Sequence, residues 1–292
     1  MKYFKFVLMG VLILLTTGCL FKRDTMEDIT IYTTTYPVNY LIDYLYKDNA
    51  QIYSIYPNDI SIDDYELSDK KIEEYSKSDL FVFNSLDKDR DYAVKMINKN
   101  KKLKIIDVSM GMSYTYQVEE LWLNPYNYLM MAQNVKDGLL EYVTNPYLIS
   151  NNDNTGIENK YEQLKYDLSN LDASLKETIN NASYDTIVVD NNLFKFLEKY
   201  NLNVISLEEG DDLTEPTINE VKQLINEGKI KYIYSINTSS NNTVNNLIDN
   251  YDVSLLTINS MHTIDGGVTN SNENYLTIMN NNIELFSLEL YK

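Results

Sequence analysis

Acids and amides directly follow several of the apolar, strand-like runs of this 292-residue chain. The run TIVV leads into Asp190, and a later run leads into Asn259. The stretch YPNDISIDDYE at 56–66 and the stretch EELWLNP at 119–125 follow two other such runs. Any one of these residues could simply cap a helix or fill a turn. Because ligands of open α/β sheets bind beyond the carboxyl ends of the strands, the four together predict a polar cleft.

Oxygen donors of this kind bind cations. Carboxylate and amide oxygens suit hard divalent ions such as manganese, calcium or magnesium, whereas imidazole suits zinc. Two carboxylates about 4 Å apart repel each other by about 4 kcal/mol at an effective dielectric constant of about 20. Three converging carboxylates therefore need a positive partner, because they would otherwise take up protons or move apart. That partner could be a metal ion, an organic cation or a Lys side chain.

The elements that must position these side chains are eight short runs rich in β-branched and aromatic residues, which predict strands. They are residues 29–33, 51–55, 80–84, 104–108, 186–189, 204–207, 232–236 and 254–258. Segments of helical period alternate with them, which predicts βα units on mainly parallel sheets. The predicted fold class is α/β, with two Rossmann-like lobes of four strands each and a ligand cleft between the lobes.

One long amphipathic helix is predicted between the fourth and fifth strands, because apolar residues recur at spacings of three and four from about Thr155 to Asn181. We expect it to join the lobes as a rigid connector that limits their relative motion. A coiled-coil dimer arm is the competing interpretation. The predicted organisation is a signal peptide at 1–19, a tether at 20–28, an N-terminal lobe at 29–150, a connecting helix at 151–182 and a C-terminal lobe at 183–292.

The N-terminus has the pattern of a secretory signal. Lys2 and Lys5 precede an apolar run at 6–15 that ends in Thr-Thr-Gly-Cys and is too short for an ordinary membrane span. Cys19 is the only cysteine, so no internal disulfide can form. A bacterial lipoprotein signal with Cys19 as the lipidated N-terminus explains both facts, although Thr16 stands where an aliphatic residue is usual. An uncleaved signal anchor is the alternative, and either one predicts an extracytoplasmic protein tethered to the cell membrane.

Composition excludes some classes of function. The formal net charge is -18 with only 25 Lys and Arg residues, which argues against nucleic acid as a partner. One cysteine and one histidine cannot build a nucleophilic triad, and the sequence has no Gly-rich phosphate loop and no histidine-pair zinc-hydrolase helix. We therefore do not expect an enzyme, and we expect a monomer.

Four short motifs carry a resemblance to a known family. They are TYP at 35–37, IDDYE at 62–66, ELWLNP at 120–125 and YLTIMNNN at 275–282. In order and spacing they resemble motifs of the bacterial solute-binding lipoproteins that deliver zinc or manganese to ABC importers, and the resemblance extends from residue 29 to residue 292. It implies two α/β lobes around a long helix, a divalent metal ion bound between the lobes, and an ABC permease as partner.

The resemblance also implies the metal ligands, which would be Asp63, Glu120, Asp190 and Asn259. The family has histidine at the first two positions, histidine or glutamate at the third and aspartate at the fourth, so no histidine remains here. His262, the only histidine, is either a solvent-facing loop residue or a replacement ligand for Asn259. By ligand chemistry this oxygen-rich set favours manganese or another hard ion over zinc. The departure also leaves open that no metal binds.

The leading hypothesis is a lipid-anchored solute-binding protein that captures a divalent metal ion for an ABC importer. Two alternatives remain. One is a divergent member that has lost metal binding and acts as a surface adhesin or binds another cationic ligand. The other is a hydrolase in which Asp63, Glu120 and Asp190 supply an acid and a base. Trp122, the only tryptophan, is expected to pack between the lobes.

Overall fold

The computed structural model describes residues 25–58, 60, 62–210, 213–236, 240–262 and 273–291. The predicted signal peptide and Cys19 lie outside the described residues. Within them, no helix is both long enough and apolar enough to cross a membrane.

Two parallel sheets of four strands each form the framework. The strands are β1 Ile29–Thr33, β2 Ala50–Ser54, β3 Leu80–Phe83, β4 Lys104–Asp107, β5 Thr186–Val189, β6 Asn203–Ser206, β7 Tyr232–Ser235 and β8 Ser254–Thr257. Their order is β2-β1-β3-β4 in one sheet and β6-β5-β7-β8 in the other, with every pairing parallel. Each predicted strand is present with its ends within one residue, so the predicted α/β class with two Rossmann-like lobes is confirmed.

Helices connect the strands. They are α1 Tyr36–Tyr46, α2 Asp69–Tyr75, α3 Asp89–Lys99, α4 Glu120–Leu123, α5 Pro125–Tyr142, α6 Pro146–Ile149, α7 Ile157–Asn180, α8 Glu215–Asn226, α9 Asn242–Asn250 and α10 Tyr275–Leu290, with 3₁₀ helices at Lys47–Asn49 and Asn192–Tyr200. Several begin where the sequence supplies a cap. The Asn124 side chain accepts from the amide of Tyr126, and Asn274 forms a capping box with Thr277.

The long helix α7 runs from Ile157 to Asn180, close to its predicted limits. Its buried stripe consists of Ile157, Tyr161, Leu164, Leu168, Leu171, Leu175 and Ile179. These side chains belong to one apolar cluster that also contains core residues of both sheets, for example Ile31 and Ile187. Because the stripe is buried within the chain itself, the coiled-coil interpretation is wrong. The helix shares its core with both lobes, and the limit on their relative motion stays a prediction.

Polar contacts also join the two lobes. The Lys199 ammonium, in the second 3₁₀ helix, donates to Asn124 Oδ1 at 2.6 Å. The rings of Tyr128 and Tyr275 stack with their centroids 3.9 Å apart, and both residues are fully buried. Both contacts pair a residue of the N-terminal lobe with a residue of the C-terminal lobe.

Candidate functional site

A largely buried histidine lies between two carboxylates where the lobes meet. His262 follows β8, Asp63 lies in the loop after β2, and Glu119 directly precedes α4. The Nε2 atom of His262 lies 3.3 Å from Asp63 Oδ1, and its Nδ1 atom lies 3.2 Å from Glu119 Oε1. Only 12% of the His262 side chain is exposed, so the solvent-facing interpretation of this residue is wrong.

Neither ring nitrogen of His262 makes an aligned hydrogen bond within the described part of the chain, and both are sealed from solvent. Burial lowers the pKa of His262, but the Glu119 carboxylate, together with Asp63 and Asp87, outweighs burial and raises that pKa above its ordinary value. The acids therefore favour the imidazolium form. A protonated imidazole supplies the positive partner that clustered carboxylates require, and a cation takes over that role only when it displaces the proton from the ring.

The loop that carries His262 is fixed by its own polar groups. Asn259 Oδ1 accepts from the Met261 amide at 2.9 Å, and Ser260 Oγ accepts from the His262 amide at 3.3 Å. Met261 has φ 56°, a left-handed conformation that residues other than glycine rarely adopt. The Asn282 side chain holds the Asn259 backbone through two hydrogen bonds of 3.0 and 2.9 Å. The side chain of Asn259 thus turns the backbone that directs His262.

Trp122 supports the same loop from the other lobe. Its indole Nε1 donates to Ser260 O at 2.7 Å, and its ring centroid lies 6.1 Å from that of His262. The Tyr275 hydroxyl donates to Trp122 O at 2.6 Å. Trp122 is fully buried, so its predicted position between the lobes is confirmed.

The loop that carries Asp63 is held by Lys88. The Lys88 ammonium donates to the carbonyls of Ile62, Asp63 and Tyr65, the last two at 3.2 and 3.1 Å. This lysine therefore serves the backbone rather than the acidic side chains. The Asp63 side chain is 80% exposed, which leaves its carboxylate open to solvent on the side away from His262.

Glu120, the predicted ligand of this segment, turns towards its own loop. Its carboxylate accepts hydrogen bonds from the backbone amides of residues 115–117, at 2.5–3.2 Å. Glu119 is the acid that contacts His262, although the sequence motif pointed to Glu120. The spacing to Trp122 could have identified Glu119. Residues three apart share a face of a helix, and Glu119 lies three residues before Trp122, whereas Glu120 lies only two before it.

Asp190 is bound within the C-terminal lobe. One carboxylate oxygen accepts from the Ser235 hydroxyl at the end of β7, and the other accepts from the Asn191 side chain at 2.6 Å. Burial raises the pKa of Asp190 to about 6, although the hydrogen bond from Ser235 lowers it. The acid at the tip of β5 therefore has two local partners.

The four positions implied by the resemblance do not converge as free donors. Among the residues that the structure describes, no three His, Cys, Asp or Glu side chains have the grouping of a metal site. Glu120, Asp190 and Asn259 direct side-chain oxygens to partners in their own lobes. Asp63 alone of the four faces the other lobe, where it contacts His262. This pair can offer one imidazole nitrogen and one carboxylate oxygen to a cation.

Comparison with known proteins identifies the family. The sequence profile of "Zinc-uptake complex component A periplasmic" (ZnuA) matches residues 31–287. The zinc-binding lipoprotein AdcA of Streptococcus pneumoniae strain R6 is 21% identical over 310 aligned residues, which cover 97% of this chain and 60% of AdcA. The chain thus spans about 60% of the length of that curated relative.

Solved structures share the fold. The Zn(II)-bound ZnuA-like domain of S. pneumoniae AdcA superposes with a TM-score of 0.71 at 20% identity, covering 91% of this chain and 100% of that domain. The metal-dependent lipoprotein YcdH of Bacillus subtilis gives a TM-score of 0.72 at 18% identity, again covering 91% and 100%. The two-lobed architecture that the resemblance implied is therefore confirmed.

Proposed function

The chain belongs to the family of periplasmic zinc-uptake components, and from this membership we propose that it is the solute-binding component of an ABC importer. In this role it captures a divalent metal ion between its lobes and passes the ion to a membrane permease. We further propose that it acts outside the cytoplasmic membrane as a monomer anchored through Cys19, and that it catalyses no reaction.

The observation that carries this proposal is the pair formed by His262 and Asp63, with Glu119 on the other side of the imidazole. An imidazole from one lobe and two carboxylates from the other meet at the carboxyl ends of the two sheets. This is where α/β sheets bind ligands, and the groups are those that bind divalent ions. The imidazole adds a nitrogen donor to the oxygen-rich set that the resemblance implied, in which His262 was an alternative ligand. It therefore moves the proposed cargo from manganese towards zinc.

The test is metal-dependent stability. A ligand that binds only the folded protein stabilises it by RT ln(1 + [L]/Kd), which is about 2.7 kcal/mol at a ligand concentration 100 times Kd. We expect the melting temperature to rise when zinc is added to metal-free protein, and to fall back when a chelator removes the ion. Manganese, calcium, magnesium and iron are compared in the same assay. An unchanged melting temperature with all five ions, together with no heat of binding in calorimetry, would refute the proposed function.

A further inference from the structure

We propose that His262 Nε2 and Asp63 are the protein's own ligand pair for the captured ion, and that Glu119 is the residue that positions the imidazole. This inference rests on the proposed function and specifies its site. It departs from the ligand set implied by the family, in which Glu120, Asp190 and Asn259 would join Asp63.

The spacing of the two donors matches a shared ion. Ligand bonds to zinc are about 2.0–2.2 Å long, so two donors in a tetrahedral arrangement lie about 3.3–3.5 Å from each other. The Nε2 atom of His262 lies 3.3 Å from Asp63 Oδ1. No aligned hydrogen bond satisfies that nitrogen within the described residues, although it is buried. Both ring nitrogens lack an aligned hydrogen bond in the part of the chain that the structure describes, but only Nε2 faces a carboxylate that is open to solvent, so an ion that enters from solvent can lie between Nε2 and Asp63.

Glu119 occupies the other side of the same ring. When one imidazole nitrogen binds a metal, the other carries the proton and commonly donates it to a carboxylate, which fixes the tautomer and the ring orientation. Glu119 Oε1 lies 3.2 Å from Nδ1, and its side chain is only 11% exposed. The order of groups is therefore Glu119, imidazole, ion and Asp63.

The surroundings hold this arrangement in place. Trp122 binds the carbonyl of Ser260 and lies beside the imidazole, while the left-handed Met261 turns the chain just before His262. The exposed Asp63 carboxylate faces solvent, so water can fill the remaining coordination positions. A partly hydrated ion bound by two side chains suits a protein that must release its cargo.

The chain offers a direct test, because His262 is its only histidine. Protein labelled with ¹⁵N in histidine alone, purified without a histidine tag, gives one pair of imidazole signals. We expect one equivalent of zinc chloride to move the Nε2 resonance while Nδ1 keeps its proton. If calorimetry detects zinc binding but both imidazole signals stay unchanged, the inference is overturned and the proposed function stands. If neither calorimetry nor stability responds to any of the ions, the proposed function itself fails.

Variants measure the three roles separately. We expect His262→Ala and Asp63→Asn each to weaken zinc binding more than about 100-fold, and Glu119→Gln to weaken it about 10–100-fold, the range typical of groups that orient a ligand. Glu119→Gln should also alter the Nδ1 signal of the zinc complex.

Asp64→Asn is the matched control for Asp63→Asn, since it removes the same charge from the next residue. We expect it to change the zinc affinity less than about threefold. Circular dichroism confirms that each variant is folded. Unchanged zinc affinity in folded His262→Ala protein would overturn the inference.

Discussion

Replacing the buried acid Asp89 with asparagine is expected to stabilise this protein at neutral pH. Asp89 is the first residue of α3 and is fully buried. Its Oδ1 atom accepts from the Tyr56 hydroxyl at 2.5 Å, whereas Oδ2 has no aligned hydrogen bond within the described residues. Burial raises the pKa of Asp89 to about 6, although the hydrogen bond from Tyr56 lowers it. Asparagine keeps the acceptor for Tyr56 and gains an amide donor for the buried Thr34 hydroxyl.

The size of the effect follows from that pKa. The difference between about 6 in the folded protein and the ordinary value of 3.8 is about 2 units, which corresponds to about 3 kcal/mol. Because the folded-state pKa is raised, the contribution of Asp89 to stability is full below pH 3.8 and is lost as pH rises through about 6. Removing a negative charge from the first turn of α3 costs up to about 1 kcal/mol. The cost of burying the charged carboxylate, which asparagine avoids, is larger, so we expect the free energy of unfolding to rise by about 2 kcal/mol at pH 7.5.

The assay is urea unfolding of the wild-type protein and Asp89→Asn at several pH values between about 4 and 8. We expect the variant to be more stable at pH 7.5 and the difference to shrink towards pH 4. Asp190, whose pKa is also raised to about 6, contributes to both proteins and so cancels in the difference. Asp91→Asn is the control, because it removes an exposed acid from the same helical turn and should not stabilise. A destabilised Asp89→Asn protein, with a difference independent of pH, would refute the reasoning.

Three further predictions concern packing. Leu168→Ala, in the buried stripe of α7, should lower the free energy of unfolding by about 2–5 kcal/mol, and a loss below about 1 kcal/mol would contradict the central position of this helix. Gly138→Ala should lower the melting temperature, because the new Cβ would lie 2.7 Å from Ile106 Cγ1. This clash should outweigh the preference of helices for alanine over glycine, which is about 1 kcal/mol. A raised melting temperature would show that Ile106 moves aside. Trp122→Phe leaves the carbonyl of Ser260 without its indole donor, so we expect the free energy of unfolding to fall by about 1–3 kcal/mol. Denaturant unfolding followed by circular dichroism measures this loss. Unchanged stability would argue against this contact between the lobes.

The local elements were predictable because each is specified by residues near one another in sequence. Runs such as TIVV at 186–189 lie on central strands that are buried on both faces, so they are apolar throughout. The spacing of three and four along α7 identified its buried face residue by residue. The position of Asp190 at the tip of β5 also followed from the sequence, because the end of a strand fixes which residue stands at the edge of the sheet.

The orientation of the polar side chains was less predictable. Glu119 and Glu120 are adjacent in sequence, and the motif pointed to Glu120. The carboxylate of Glu120 instead satisfies three backbone amides of the preceding loop, while Glu119 contacts the opposite lobe. Which of two neighbouring acids faces a cleft depends on the phase of a short helix and on the amides that compete for a carboxylate.

The sequence by itself determined the two α/β lobes, the long connecting helix, the family resemblance and the strand ends where polar groups gather. Only the tertiary structure decided that His262 lies between Asp63 and Glu119. These residues are far apart along the chain, and their meeting depends on how the two sheets pack around α7 and on the turn at Met261. Periodicity reports which face of an element is buried, but it carries no information about which distant side chain that face will meet.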